Sequence, residues 1–228
     1  MIFWYALNGL LLVIAYLLGS IPTGYWAGRL LKGVDIREYG SRSTGATNVL
    51  RTLGKGPAAV VLLVDILKGA AAIALVQRFY ALDIVKPLIP PAVAATAWMP
   101  WMITIAGILA LLGHSKSIFL NFTGGKSVAT SLGILLTMNW MVGAGTLLVF
   151  LIVLAISRIV SLSSIAGAIA VCGLMVLFVQ PVPYVLFAFV GGLYVIFRHR
   201  ANLQRLLAGT EPRLGQKVPE ISNPPSAP

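Results

Sequence analysis

Gly124, Gly125, Lys126 and Ser127, inside "NFTGGKSVAT" (121–130), stand at the head of an apolar run. Two glycines let a backbone approach a ligand closely. A helix opening just after them points its positive dipole end at an anion. Lys126 adds a full charge and Ser127 a further donor. The set suits phosphate. It is not a nucleotide-hydrolysing loop, which needs a glycine five residues before Gly125, where Leu120 stands. A structural turn with one lysine reaching for the membrane surface accounts for the same residues.

Three other polar stretches carry comparable chemistry. "EYGSRSTGATNVLRTLGKG" (38–56) combines glycines, among them Gly45, with the neutral donors Ser41, Thr47 and Asn48 and the cation Arg51. A flexible basic connector is its plain alternative. "SRIVSLSS" (157–164) sets Ser161 at a helix start, where it is either a ligand contact or an N-cap. "RHRANLQRLLAGTEPR" (198–213) places His199 and Asn202 three apart, on one helical face. A basic amphipathic helix on the membrane surface also fits. Asp65 and Lys68 are again three apart inside an apolar run, either a functional pair or an ion pair that fixes packing.

The elements that position these groups are membrane helices. Of 228 residues 58% are hydrophobic and 10% charged, and mean hydropathy is +0.92. Soluble domains run about 25% charged. The chain reads as an all-α integral membrane protein with one polytopic domain over 1–211 and a Pro- and Ser-rich disordered tail over 212–228. Its charge of +11 reflects cytoplasmic loops rather than nucleic-acid binding. Cys172 is alone, so neither a disulfide nor a cysteine metal site forms within the chain. No Lys or Arg precedes the first apolar stretch, which reads as an uncleaved span.

Spans fall at roughly 3–28, 57–77, 96–113, 161–179 and 183–197, with 127–157 between them. As one helix, the last stretch would be about 46 Å long against about 30 Å of hydrocarbon. Lys116 and Lys126 precede it and Arg158 follows, so two short spans meeting near Asn139–Gly145 keep both flanks on one side. Seven transmembrane helices result, with the N-terminus outside and the C-terminus cytoplasmic. Fourteen cations then lie inside and only Arg78 and Lys86 outside. All four polar stretches reach the cytoplasmic face, where they describe a pocket for an anion at the lipid boundary, open sideways to lipid. An amphiphile with its phosphate in the pocket and its tail in the bilayer would fit.

The chain resembles the bacterial acyl-phosphate:glycerol-3-phosphate acyltransferases, the PlsY type. The likeness rests on "GATNVLRTLGK" (45–55), "VDILKG" (64–69), "GHSKSIFLNFTGGKSVATSLG" (113–133), "RIVSLSSI" (158–165) and "RHRANLQRLL" (198–207), in that order. The resemblance implies an enzyme of phospholipid synthesis in the bacterial cytoplasmic membrane. It moves a fatty acyl group from acyl phosphate to the 1-hydroxyl of glycerol 3-phosphate, giving lysophosphatidic acid and phosphate, with no cofactor and no metal. By position it assigns catalytic roles to Ser41, Arg51, Lys126, Ser161, His199 and Asn202. Gly45, Thr47, Asn48, Gly124, Gly125 and Ser127 would bind substrate, and a monomer is expected. The family's positions for Gly, Asn, Pro and Gly are held here by Arg42, Ser43, Ser117 and Ser127. A transporter of phosphorylated solutes and a lipid-binding scaffold are the rival readings.

Overall fold

The computed structural model describes residues 1–91, 93 and 95–216. Ten α-helices carry the described chain: α1 (Ile2–Ser20), α2 (Thr23–Lys32), α3 (Ala46–Thr52), α4 (Lys55–Ala81), α5 (Ala95–Ser115), α6 (Val128–Met138), α7 (Trp140–Ser157), α8 (Val160–Leu177), α9 (Val182–Arg198) and α10 (Arg200–Leu207). Helices dominate because backbone polar groups in lipid must be satisfied within their own segment. Among the described residues the nearest approach to a strand is one isolated bridge between Ser117 and Thr123. Five stretches are long and apolar enough to cross a membrane: Ile2–Lys32, Lys55–Ala81, Thr96–Ser115, Trp140–Ser157 and Val160–Leu177. A sixth is α9 with α10, bent by 61° where they meet. The expected tail lies outside the described residues from 217 onward; before it, the Leu214 N–H donates to the Arg158 carbonyl at 2.6 Å.

Two breaks shape the bundle. The first stretch, expected to be continuous, is interrupted at Ile21–Pro22, since proline has no N–H to give the ladder. The Ile21 carbonyl is taken instead by the Lys68 Nζ at 2.9 Å. The long stretch after Lys126 breaks at Asn139, within the expected zone. Asn139 is extended, and its Oδ1 accepts from the N–H groups of Met141 and Val142, capping α7. The 11 residues of α6 make about 16 Å of helix, well under the hydrocarbon thickness.

Close crossings use glycine. A methyl at Gly133 of α6 would strike the Ile66 carbonyl of α4, and one at Gly69 of α4 would strike the Thr130 carbonyl of α6. Such small-residue contacts let backbones approach where lipid gives no hydrophobic drive between helices. The main core gathers Ala72, Ile73 and Val76 of α4, Ile103 and Ala106 of α5, Ile134 of α6, Met175 of α8 and Phe187 of α9. A smaller cluster of Ile36, Val49, Ala58 and Val61 seats the polar loop and α3 on the start of α4. Leu62, Leu148 and Leu193 point outward, as an apolar solvent allows.

Candidate active site

The loop 36–48 is folded by one side chain. Asn48, in the first turn of α3, is 1% exposed. Its Oδ1 accepts from the Ser41 N–H at 2.8 Å. Its Nδ2 donates to the carbonyls of Ile36, Tyr39 and Ser43 at 3.0, 3.1 and 2.8 Å. Both the oxygen and the nitrogen of the amide are thus engaged within the loop. Asn48 therefore holds Ser41 and Ser43 at the cavity rim, and Arg51, one turn along α3, carries the free charge. Among the described residues the Arg51 side chain makes no hydrogen bond. Arg42 lies at φ +55°, in the left-handed region, where glycine would carry no steric cost.

The turn before α6 is held from outside itself. The Gly125 N–H donates to the His114 carbonyl at 3.1 Å. The Arg198 Nη2 donates to the Gly125 carbonyl at 2.9 Å and the Gly124 carbonyl at 3.4 Å. A methyl at Gly125 would collide with the His114 ring, and one at Gly124 with the His114 carbonyl. Ser127 is fully buried at φ +64° and gives its hydroxyl to the Leu111 carbonyl at 2.8 Å. Ser117 keeps a proline-like φ of −66° but uses the N–H that proline lacks to reach the Thr123 carbonyl at 3.2 Å.

Below the turn lies a buried ionic cluster. Asp65 Oδ1 accepts from the Thr23 hydroxyl at 2.7 Å and from the Lys68 Nζ at 2.8 Å, with His114 Nδ1 3.6 Å away. Lys68 in turn holds the Ile21 carbonyl. The pair thus ties α4 to the α1–α2 break and to the histidine that backs the turn.

The third polar group comes from the far end of the chain. The His199 Nδ1 lies 2.7 Å from the Val195 carbonyl. A carbonyl only accepts, so the proton sits on Nδ1 and Nε2 is left as the acceptor. The Lys126 Nζ donates to Asn202 Oδ1 at 2.5 Å. Glu211 closes the ring. Its Oε1 accepts from the Ser161 hydroxyl at 2.7 Å and the Asn202 Nδ2 at 2.5 Å, and its Oε2 from the Arg205 Nε at 2.7 Å. Burial pushes the Glu211 carboxyl up, yet hydrogen bonds from Asn202, Ser161 and Arg205, and the charge of Arg205, outweigh it and hold the group below its usual range. Lys126 is pulled down to about 8, chiefly by burial; Glu211 opposes this, and the nearby charges of Arg205, Arg51 and Arg198 assist it.

These groups share one cavity of about 640 Å³. Ser41, Gly45, Thr47, Asn48, Arg51, Lys126, Ser127, Ser161, His199 and Asn202 all line it. Gly124 and Gly125 do not, because their backbone groups are turned to His114 and Arg198. Among the titratable lining residues, the sequence reading passed over His114 and Glu211. Glu211 had a signal, as the one acidic residue in an Arg-rich segment. His114 had none, because its role comes from a turn eleven residues later.

The glycerol-3-phosphate acyltransferase family profile matches residues 9–209. This chain belongs to the glycerol-3-phosphate acyltransferase family. It is 66% identical over 215 residues to the glycerol-3-phosphate acyltransferase of Trichormus variabilis, covering 94% of this chain and 95% of that one. The corresponding protein of Nostoc sp. is 65% identical over 216 residues, covering 95% and 96%. A crystal structure of PlsY (YgiH), an integral membrane glycerol 3-phosphate acyltransferase in its glycerol 3-phosphate form, matches with a TM-score of 0.78 at 37% identity, over 91% of this chain and 96% of that one. The lysophosphatidic acid form of the same protein matches with a TM-score of 0.76 at 36% identity, covering 91% and 95%. The chain is therefore an integral membrane acyltransferase, and membership decides against the transporter and scaffold readings.

Proposed function

We propose that the enzyme transfers a fatty acyl group from acyl phosphate to the 1-hydroxyl of glycerol 3-phosphate, releasing lysophosphatidic acid and phosphate. One observation carries this reading. Arg51, Lys126, His199, Asn202 and Ser161 come from four separate segments and converge on one cavity whose remaining lining is mostly apolar. Cationic and hydroxyl groups grip phosphate, and the apolar walls take the chain. The substrate forms named for the PlsY crystal structures support glycerol 3-phosphate and the lysophosphatidic acid product.

In this mechanism Arg51 and Lys126 hold phosphates, while Ser41 and Ser161 donate hydrogen bonds to the substrates. His199 and Asn202 orient glycerol 3-phosphate. The hydroxyl oxygen bonds to the acyl carbon and the carbon–oxygen bond to phosphate breaks. The hydroxyl proton passes to an oxygen of the departing phosphate. Acyl phosphate is a mixed anhydride with a good leaving group, so alignment and charge stabilisation do most of the work. The Nδ1–H tautomer of His199 favours a second route, in which Nε2 takes the proton first. The two routes differ in His199→Gln, which keeps hydrogen bonding but not basicity: orientation alone predicts retained turnover, and a base predicts its loss.

Seven crossings, with α6 and α7 counted separately, an external N-terminus and a cytoplasmic site in the bacterial inner membrane complete the proposal. A monomer suffices, since every group named above comes from one chain. The deciding experiment is phosphate release from acyl phosphate plus glycerol 3-phosphate, run beside acyl-CoA. Product from acyl phosphate alone is expected. Equal turnover with acyl-CoA, or full activity in Lys126→Ala, would overturn the reading.

A further inference from the structure

The apolar lining of the cavity divides by burial. Leu62 of α4 and Leu151 of α7 are 44% and 48% exposed, on the lipid-facing side. Leu111, Leu135, Val171, Ala188 and Val195, from α5, α6, α8 and α9, are all buried and form an inner arm. Phe187, 2% exposed, is the α9 lining residue farthest from His199, about 18 Å along the helix. Behind Phe187, Ile134 and Met175 are fully buried in the core and line no part of the cavity.

The Phe187 ring is fixed in place. A methyl at Gly107 of α5 would come within 2.8 Å of its Cε2, so the ring lies directly on the α5 backbone. Gly191, one turn nearer the polar end, lines the same arm; a methyl there would meet Leu111 Cδ1 at 3.2 Å and the Phe187 ring at 3.8 Å. The inner arm is thus lined by buried apolar groups, with Phe187 packed on backbone at its far end and no side chain at Gly191.

We propose that this inner arm receives the acyl chain of the donor and that Phe187 is its floor, so that Phe187 sets the longest chain accepted and the bare backbone of Gly191 keeps the slot open. The proposal rests on the acyl-donor reading above. A chain that reaches the floor gains from each methylene it buries, and one that overruns it must displace a ring packed on backbone.

The test is a chain-length profile of the purified full-length enzyme with decanoyl, tetradecanoyl and octadecanoyl phosphate. Phe187→Ala should raise the octadecanoyl-to-tetradecanoyl rate ratio by roughly tenfold, the equivalent of about two further buried methylenes. Gly191→Leu should lose the long chains while retaining decanoyl turnover. Because Phe187→Ala removes a core ring, Phe187→Leu serves beside it and should move the ratio the same way by less. Ratios unchanged in both Phe187→Leu and Gly191→Leu would overturn the proposal and send the chain out between Leu62 and Leu151. The absence of wild-type turnover with every acyl phosphate would instead strike the donor reading. The ratios stay decisive for the inner arm with whatever acyl donor the enzyme does accept.

Discussion

In the loop 36–48 the backbone is held by a side chain of its own, whereas in the turn 121–127 it is held by neighbours. Asn48 spends all its hydrogen bonds on four backbone partners, and Arg51 one turn on spends none. At the turn, the His114 carbonyl and the Arg198 guanidinium clamp Gly125, and Lys126 next to it reaches the cavity. Both regions present a single cation from a rigid support. On the proposed reading, most polar residues around the phosphate are therefore scaffold, and few are grips.

Removing a grip should cost most. Lys126→Ala should lower kcat/KM by roughly a thousandfold, the scale for losing one charged partner of a desolvated phosphate. Detergent-solubilised protein should melt no lower, since the one side-chain hydrogen bond that Lys126 makes among the described residues is to Asn202 and its buried charge costs stability below pH 8. Removing a support should cost less and look different. Gly125→Ala drives a methyl into the His114 ring, displaces Lys126 by a fraction of an ångström, and should reduce kcat by about a hundredfold. Equal losses in both variants would erase the distinction between grip and support.

Asn48→Ala sharpens the same distinction on the other side. It strips the loop of four hydrogen bonds while Arg51 keeps its place on α3. Activity should fall by roughly tenfold to a hundredfold. The signature is increased proteolysis within 38–46, with the bundle intact because Ile36 and Val49 still pack on α4.

The pH dependence follows from Lys126. Burial pulls the Lys126 ammonium down to about 8, so the charge proposed to grip phosphate is lost as pH rises through that value. The KM for glycerol 3-phosphate should rise above pH 8. Lys126→Arg, charged throughout, should abolish that rise even where its geometry lowers the rate. Stability runs the opposite way. The unfolded lysine titrates near 10.4, so between about 8 and 10 the unfolded chain binds more protons and this group makes the fold firmer as pH increases. Glu211 acts at the acid end. Its carboxyl is held low, so its contribution is present above its unfolded value and is lost as pH falls through the folded one.

The sequence displayed the helices and the polar stretches because lipid imposes a long apolar period and forbids loose polar residues. Asn139, with charges on both flanks, revealed the α6–α7 break. Pro22 did not reveal the first break, since apolar residues continue on both sides of it. The cations that reach the cavity, Arg51 and Lys126, were legible as residue types. Their supports were not, because a carbonyl such as that of His114, or a guanidinium from 73 residues away, carries no local signal. The glycines of the turn were read as phosphate donors for the same reason: nothing in "TGGKS" shows that their hydrogen bonds are already committed.

The smallest expected effect tests how this chain tolerates serine at a left-handed position. Ser127 sits at φ +64°, which costs a non-glycine residue roughly 1 kcal/mol. Its buried hydroxyl regains a similar amount by donating to the Leu111 carbonyl, about 1 kcal/mol for such a bond. Ser127→Gly removes both terms and should shift stability by less than roughly 0.5 kcal/mol. Ser127→Ala keeps the backbone cost and discards the bond. It should destabilise by about 1 kcal/mol, tempered because the Ser115 hydroxyl also donates to Leu111 at 3.0 Å. The expected order of melting temperatures is serine near glycine, both above alanine. Alanine level with serine would mean that the hydroxyl contributes nothing; glycine well above both would mean that the strain is uncompensated. Either outcome separates the turn from the loop, where Arg42 occupies the same backbone region and makes no side-chain hydrogen bond among the described residues.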